Sequence, residues 1–179
     1  MKPIVLVGYM CAGKTTVGKQ LAKETGKVFY DLDWYIETRF RKKVSQIFAE
    51  EGEEGFRRKE RAMLHEVAEF EDIVLSCGGG TPCFFDNMDY LNERAEVFYM
   101  KAPVETLLRH LKMSRGDRPL IKGKSEEELR IFVTEQLEAR EPFYSKARHI
   151  IDIGILDEEE KINKVVETIK ISAHEKMEN

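Results

Sequence analysis

Two kinds of apolar pattern alternate along this chain: short unbroken apolar runs, and longer segments with apolar residues at helical spacing. Ile4–Val7 is an unbroken run, as expected for a strand that is covered on both faces of a parallel sheet. Lys14–Thr25 follows with helical spacing and is stopped by Gly26, which predicts a helix. Strands and helices in alternation predict an α/β fold with a parallel sheet.

The same alternation continues towards the C-terminal end. Residues 112–124 are basic, contain two glycines and one proline, and show no apolar period, so we expect a mobile loop there. Further strands are predicted at Val28–Leu32, Ile73–Leu75, Glu96–Met100 and Ile150–Ile153, and further helices at Phe56–Phe70, at Val104–Leu111, after a capping box at Ser125–Glu128 and after Asp157–Glu160.

Composition narrows the possible partners. A length of 179 residues predicts one domain, and the formal net charge of −4 gives no general attraction to nucleic acid or an anionic membrane. No apolar stretch approaches the roughly 18 residues needed to span a bilayer. The three cysteines lack CxxC spacing, so neither a disulfide framework nor a zinc knuckle is indicated. This cysteine usage fits a reducing cytoplasm. No heptads or large exposed apolar face stand out, so we expect a monomer.

A phosphate-binding loop follows the first predicted strand. Residues 8–16 read GYMCAGKTT and match the pattern G-x-x-x-x-G-K-[ST] in full. Gly8 and Gly13 let the backbone curl so that its N–H groups point at an anion, Lys14 reaches the phosphates, and Thr15 offers a hydroxyl to Mg²⁺. The alternative is a glycine-rich turn with an exposed lysine; the strand before and the helix after favour the phosphate site.

Such a loop is shared by GTPases, motor ATPases and small-molecule kinases. The chain contains no N-K-x-D stretch, which is usual in guanine-specific switches. The third predicted strand runs into Ser76 and then Gly78–Gly80, where motor ATPases tend to carry an acid. The triple glycine lets another group approach the backbone closely. The pattern therefore favours a small-molecule kinase.

Two carboxylates follow the second predicted strand. Asp31 and Asp33 are two residues apart, so on a strand they project to one face, beyond the end where open α/β sheets bind ligands. One of them can hold Mg²⁺ through water, and the other can accept a hydrogen bond from a substrate hydroxyl and help to remove its proton. Spacing does not decide which acid has which role, and solvated acids in a turn are the alternative.

Several arginines are candidates for binding anions. Arg57 lies near the start of a predicted helix, where a cation opposes the helix dipole, so an anionic partner is one explanation. The alternative is an i, i+3 pair with Glu60. Arg140 precedes Pro142 at a predicted helix end, where a cation is favoured for structural reasons alone. The basic loop holds Arg115 and Arg118, and a cation in a loop of this kind can stabilise a moving phosphoryl group.

These motifs together resemble shikimate kinase. The phosphate-binding loop, Asp31-Leu32-Asp33, GEEGFRRKE at 52–60, the triple glycine, RPLI at 118–121 and AREPFY at 139–144 occur in this order. The resemblance covers Ile4 to about Ile153. It implies a nucleoside monophosphate kinase-like fold with a five-stranded parallel sheet in the order 2-3-1-4-5. It also implies transfer of the γ-phosphoryl group of ATP, with one Mg²⁺, to the 3-hydroxyl of shikimate.

The resemblance also assigns residues. It implies a substrate-binding segment at about 33–61 and a lid at about 112–124, with the core at 1–32, 62–111 and 125–179. Asp33 matches the acid at the substrate hydroxyls and the candidate base, and Asp31, with Thr15, lies near the Mg²⁺. Lys14 and Arg118 act on the transferred phosphate. The expected substrate-binding residues are Asp33, Arg57, Gly78, Gly79, Gly80, Arg140, Phe48 and Phe56. The expected ATP-binding residues are Gly8, Ala12, Gly13, Lys14, Thr15, Thr16, Arg109 and Arg118. Among these, Arg109 is the nearest candidate to pack on adenine.

Two other functions are compatible with the sequence. A related kinase acting on gluconate or a nucleoside monophosphate would carry other contacts in place of the paired arginines. A nucleotide-binding regulator without turnover would lack the base or the loop arginine. No site is assigned to the four histidines, which share no metal-ligand spacing: His65, His110, His149 and His174.

Overall fold

The computed structural model describes residues 2–114 and 123–174. Within these residues, five strands form one parallel sheet in the order β2-β3-β1-β4-β5, which confirms the expected topology. The strands are β1 Ile4–Val7, β2 Val28–Asp31, β3 Ile73–Ser76, β4 Glu96–Lys101 and β5 His149–Asp152.

Helices connect these strands and flank the sheet. The capping box predicted before α6 is present: Ser125 Oγ accepts from the Glu128 amide at 3.2 Å, and Glu128 Oε2 accepts from the Ser125 amide at 2.7 Å. The helices are α1 Lys14–Thr25, α2 Leu32–Phe40, α3 Val44–Ala68, α4 Asn87–Arg94, α5 Val104–Met113, α6 Glu126–Tyr144 and α7 Glu159–His174, with a short 3₁₀ helix at Thr81–Cys83.

The central strand β1 positions the phosphate-binding loop. Val5 pairs with Leu75 on one side and with Val97 on the other, and all three side chains are fully buried. Just beyond β3, the Cys77 amide donates to the carbonyl oxygen of Leu6 at 3.1 Å. The loop after β1 and the triple glycine after β3 therefore leave the sheet side by side at its carboxyl edge.

The end of β2 differs from the prediction. The strand ends at Asp31, and Leu32 begins α2, a helix that the sequence pattern did not predict. Asp31 Oδ1 accepts from the amides of Asp33 at 3.1 Å and Trp34 at 3.3 Å, which caps the helix. The expectation that Asp31 and Asp33 share one face of a strand was wrong, because Asp33 lies in the first turn of α2.

Two helix boundaries were also wrong. The helix predicted at Phe56–Phe70 runs from Val44 to Ala68, with non-helical backbone at Gly52 (φ 68°, ψ −177°). Arg57 therefore lies beyond the first turn after that break, where the dipole argument loses its force. The helix predicted to end ahead of Pro142 continues through that proline to Tyr144.

The predicted loop at 112–124 is only partly described. Its first two residues, Lys112 and Met113, belong to α5, which ends where the Ser114 amide donates to the carbonyl oxygen of His110. Residues 115–122, which include Arg118, lie outside the described part of the chain.

Candidate active site

The phosphate-binding loop has the backbone that its glycines allow. Gly8 has φ 142°, and a Cβ at this position would lie 2.8 Å from the carbonyl oxygen of Met100 in β4. Gly13 has φ 93° and forms the N-cap of α1. Only glycine fits the first position and adopts the second conformation readily, so the loop curls between β1 and the N-terminus of α1.

Lys14 is buried inside this loop. Its Nζ donates to the carbonyl oxygens of Gly8 and Tyr9, each at 2.8 Å. Burial is the main cause that lowers the pKa of Lys14 to about 8. The ammonium group is held where a phosphate at the N-terminus of α1 would compensate for its lost hydration.

Thr15 and Asp31 bring two oxygen donors together at the end of β2. Thr15 Oγ1 donates to Asp31 Oδ2 at 3.4 Å. Hydroxyl and carboxylate oxygens suit Mg²⁺, which commonly keeps several waters and phosphate oxygens as its other ligands. No group of three or more His, Cys, Asp or Glu side chains suited to a metal occurs within 2–114 and 123–174. The two oxygen donors of Thr15 and Asp31 therefore suit a Mg²⁺ ion that arrives bound to the phosphates of a nucleotide.

A cleft of about 290 Å³ opens beside the loop. Arg109, the expected adenine-packing residue, forms an ion pair with Asp157 at 3.6 Å. The residues that line the cleft come from the loop, from α1, from the end of α5 and from the segment after β5: Cys11, Gly13, Lys14, Thr15, Thr16, His110, Met113, Ser114 and Leu156.

The triple glycine faces three of the predicted site residues. Each glycine leaves room for a polar side chain from a different helix, and a Cβ in its place would crowd that side chain. A Cβ at Gly78 would lie 3.3 Å from Asp33 Oδ1. A Cβ at Gly79 would lie 3.2 Å from Arg140 Nη1, and a Cβ at Gly80 would lie 2.6 Å from Arg57 Nη2. The structure thus brings together residues that are far apart in the sequence.

Arg57 is part of a buried polar network. Its Nη1 donates to Glu60 Oε2 at 2.8 Å, so the i, i+3 pair considered as an alternative is present. Glu60 is 1% exposed, and its other oxygen accepts from Thr81 Oγ1 at 2.6 Å. The Nε of Arg57 is buried and has no hydrogen-bond partner within residues 2–114 and 123–174. The pair with Glu60 therefore orients the guanidinium without using all its donors.

Aromatic rings surround the same guanidinium. The Cζ of Arg57 lies 4.0 Å from the centroid of the Phe84 ring, with Phe56 at 5.2 Å and Phe48 at 6.0 Å. The rings of Phe48 and Phe56 stack with their centroids 4.4 Å apart. Phe48 and Phe56 thus lie beside Arg57, and the rings shield the cation from water.

Arg140 approaches from α6. Its Cζ lies 5.4 Å from the centroid of the Tyr9 ring in the phosphate-binding loop. In the last turn of the same helix, Tyr144 Oη donates to the carbonyl oxygen of Gly79 at 2.6 Å. This hydrogen bond fixes the end of α6 on the triple glycine and holds Arg140 above the loop.

Asp33 has the electrostatics of a general base. Burial is the main cause that raises its pKa to about 6, and the charges of Asp31 and Glu60 add to the increase. Lys14 and Arg57 oppose it. A carboxylate with a raised pKa can accept a proton from a hydroxyl more readily than an ordinary aspartate.

Sequence reasoning missed Tyr144 and Phe84, which support this site, and considered Glu60 only as a pairing partner of Arg57. Tyr144 ends the AREPFY motif, and that position was the available signal for it. Phe84 carried no signal, because it belongs to no motif or periodic pattern and contacts Arg57 from a different segment. The fold and this arrangement of a phosphate-binding loop, a half-buried acid and two arginines define a P-loop small-molecule kinase.

Comparisons with known proteins identify the group within this class. The sequence model of the shikimate kinase family matches residues 10–170. A shikimate kinase of Parabacteroides distasonis is 59% identical over 152 residues, which is 85% of this chain and 88% of that protein. The chain belongs to the shikimate kinase family.

Solved structures agree with this assignment. A shikimate kinase from Bacteroides thetaiotaomicron has a TM-score of 0.93 at 44% identity, covering 96% of this chain and 98% of that one. A shikimate kinase from Acinetobacter baumannii, solved in complex with shikimate, has a TM-score of 0.83 at 33% identity, covering 96% and 94%. In the described part of the chain, no helix has the length and apolar character needed to cross a bilayer.

Proposed function

We propose that this chain transfers the γ-phosphoryl group of ATP to the 3-hydroxyl of shikimate, giving shikimate 3-phosphate for aromatic amino acid synthesis. The observation that carries the proposal is the triple glycine, which brings Asp33, Arg57 and Arg140 together beside the phosphate-binding loop. An acceptor with one carboxylate and several hydroxyls suits two guanidinium groups and one acid.

Arg57 and Arg140 bind the shikimate carboxylate. Their guanidinium groups approach Gly80 and Gly79, which are adjacent in the chain, so both can point at one anion. The rings of Phe48 and Phe56 supply an apolar wall, and Gly78–Gly80 let the substrate ring lie against the backbone. A gluconate or nucleotide acceptor lacks the compact ring carboxylate that this arrangement suits.

Asp33 accepts a hydrogen bond from the 3-hydroxyl and receives its proton as the phosphoryl group is transferred. Its raised pKa and its position beside Gly78, within reach of the charge of Lys14, support this role. Because phosphoryl transfer often passes through a loose transition state, orienting the hydroxyl contributes alongside proton removal.

The nucleotide is held by the loop residues Gly8, Ala12, Gly13, Lys14, Thr15 and Thr16. Thr15 and Asp31 hold the Mg²⁺, which when bound neutralises charge on the phosphates. On the resemblance alone, we also assign Arg109 to adenine, Arg118 to the transferred phosphoryl group, residues 33–61 to substrate binding and 112–124 to a lid. We retain the predictions of a monomer and of a cytoplasmic location.

A coupled ADP-release assay tests the function. The purified chain is given Mg·ATP with shikimate, gluconate or CMP as separate acceptors, and ³¹P NMR identifies the phosphorylated position. We expect turnover with shikimate alone and a product phosphorylated at the 3-hydroxyl. Lys14→Ala is the control for a contaminating kinase and should abolish turnover. Protein that binds ATP but releases no ADP with shikimate would contradict the proposal.

A further inference from the structure

His110, in α5, lies between two walls of the nucleotide cleft. Its Nδ1 is 2.8 Å from the carbonyl oxygen of Cys11 in the phosphate-binding loop. Its Nε2 accepts from the amide of Leu156, in the segment after β5, at 2.9 Å. Both partners line the cleft, and so does His110 itself. One imidazole ring thus joins two segments that are distant in the sequence.

The two partners determine the state of the ring. The Leu156 amide can only donate, and the Cys11 carbonyl can only accept. Nε2 must therefore be without a proton, and Nδ1 must carry one. A neutral ring with its proton on Nδ1 satisfies both partners, whereas the other neutral tautomer and the doubly protonated ring do not.

The two contacts fix positions that shape the cleft. Cys11 has φ 61°, a backbone conformation that is unfavourable for a residue other than glycine and needs support from its surroundings. Leu156 packs so closely against the loop that a Cβ at Gly13 would clash with Leu156 Cδ1. The neighbouring ion pair Arg109–Asp157, at 3.6 Å, also ties α5 to the segment after β5.

We propose that His110 is a positioning residue for the nucleotide. It sets the separation of the phosphate-binding loop and the segment around Leu156 before ATP binds, so the cleft is preorganised. The proposal rests on the proposed use of ATP at this loop. The two hydrogen bonds of the ring go to the walls of the nucleotide cleft and not to Arg57 or Arg140, so the acceptor site should not depend on it.

His110→Leu removes both hydrogen bonds and keeps an apolar side chain. We expect the Kd for ADP and the KM for ATP to rise about tenfold, as when one or two ordinary hydrogen bonds no longer preorganise a site. The KM for shikimate should stay within twofold. The matched control is His65→Leu, which removes a ring stacked on Tyr90 at 3.7 Å and should lower the melting temperature without changing nucleotide affinity.

Unchanged nucleotide affinity in folded His110→Leu, or an equal rise in the KM for both substrates, would overturn the proposal. If the variant does not fold, ¹⁵N NMR of histidine-labelled wild-type protein gives the second test. We expect the Nδ1–H tautomer at His110 and a shift of its ring signals when ADP is added. An Nε2–H tautomer, or signals that ADP leaves unchanged, would also overturn it. Because ADP binding is measured directly, failure of shikimate turnover would count separately against the proposed function.

Discussion

Alanine in place of Gly80 tests whether the Arg57 guanidinium binds the acceptor carboxylate. The added Cβ would lie 2.6 Å from Arg57 Nη2 and 3.0 Å from Nη1, well inside the 3.5–4.0 Å or so at which non-bonded atoms are comfortable. Gly80 has φ −88°, which alanine adopts without strain. The substitution should therefore act on the guanidinium and leave the backbone in place.

The magnitude follows from what holds Arg57. To clear the methyl group, the guanidinium must retreat by roughly 1 Å, and Glu60 and the Phe84 ring leave it few alternative positions. A charge-assisted hydrogen bond to the carboxylate contributes about 1.5–3 kcal/mol. Its loss should raise the KM for shikimate roughly ten- to a hundredfold. The melting temperature should fall as well, because displacing the guanidinium weakens its buried ion pair with Glu60.

The assay is steady-state ADP release with each substrate varied in turn, together with thermal unfolding. The KM for ATP should not change, since Gly80 lies on the acceptor side. Gly154→Ala is the matched control: its Cβ would meet nothing within 4 Å, and its backbone is outside the left-handed region. That variant should keep the wild-type KM for shikimate.

A double-mutant cycle separates the mechanism from a general disturbance. If Gly80→Ala acts through Arg57, adding it to Arg57→Ala should cause little further loss, since the group that it displaces is already absent. Additive effects of the two substitutions, or a KM for shikimate within twofold of wild type in Gly80→Ala alone, would refute the reasoning.

Three further predictions address the acid, the aromatic ring and the metal. Asp33→Asn should lower kcat by about a hundredfold or more, which is the usual cost of losing a general base, and should leave the KM for ATP near wild type. A near-normal kcat would contradict that role for Asp33. Phe84→Leu should raise the KM for shikimate several-fold, because a desolvated cation–π contact contributes about 1–2 kcal/mol. The control Phe85→Leu changes an exposed ring 5.7 Å from Arg61 and should leave this KM unchanged. Equal effects of the two substitutions would mean that Phe84 only supports the fold. EDTA should abolish turnover and added Mg²⁺ restore it, and Thr15→Val should raise the Mg²⁺ concentration for half-maximal rate; an unchanged Mg²⁺ titration curve would exclude the Thr15 hydroxyl as a ligand.

The elements with strong local signals were predicted well. The strand Ile4–Val7 and the helix Lys14–Thr25 have the predicted bounds. A buried parallel strand and an amphipathic helix that ends at a glycine can both be identified from a continuous stretch of sequence. The phosphate-binding loop belongs with them, since its glycines and its lysine act within one short segment. The roles assigned to these loop residues stay predictions until they are tested.

The errors arose where a side chain or one residue redirects the backbone. α2 was missed because its start depends on the Asp31 carboxylate capping two amides, and α3 was misplaced because a break at Gly52 interrupts its apolar spacing. The pattern predicted that α6 ends ahead of Pro142, but the helix continues to Tyr144, whose hydroxyl donates to the Gly79 carbonyl oxygen. The Asp31 cap and the Gly52 break are local features that the apolar spacing does not register, whereas the end of α6 depends on a contact with a distant segment.

The sequence alone determined the chemical types of the site residues. Through its resemblance to a family, it also predicted the order of the strands in the sheet. The arrangement of the site residues was decided by the tertiary structure. Arg57 and Arg140 reach adjacent glycines only because α3 and α6 both pack against the segment that follows β3. The raised pKa of Asp33 and the hydrogen bonds of His110 likewise depend on partners from other elements. Burial, charge proximity and hydrogen bonding act through space, so they can be assigned only once the chain is folded.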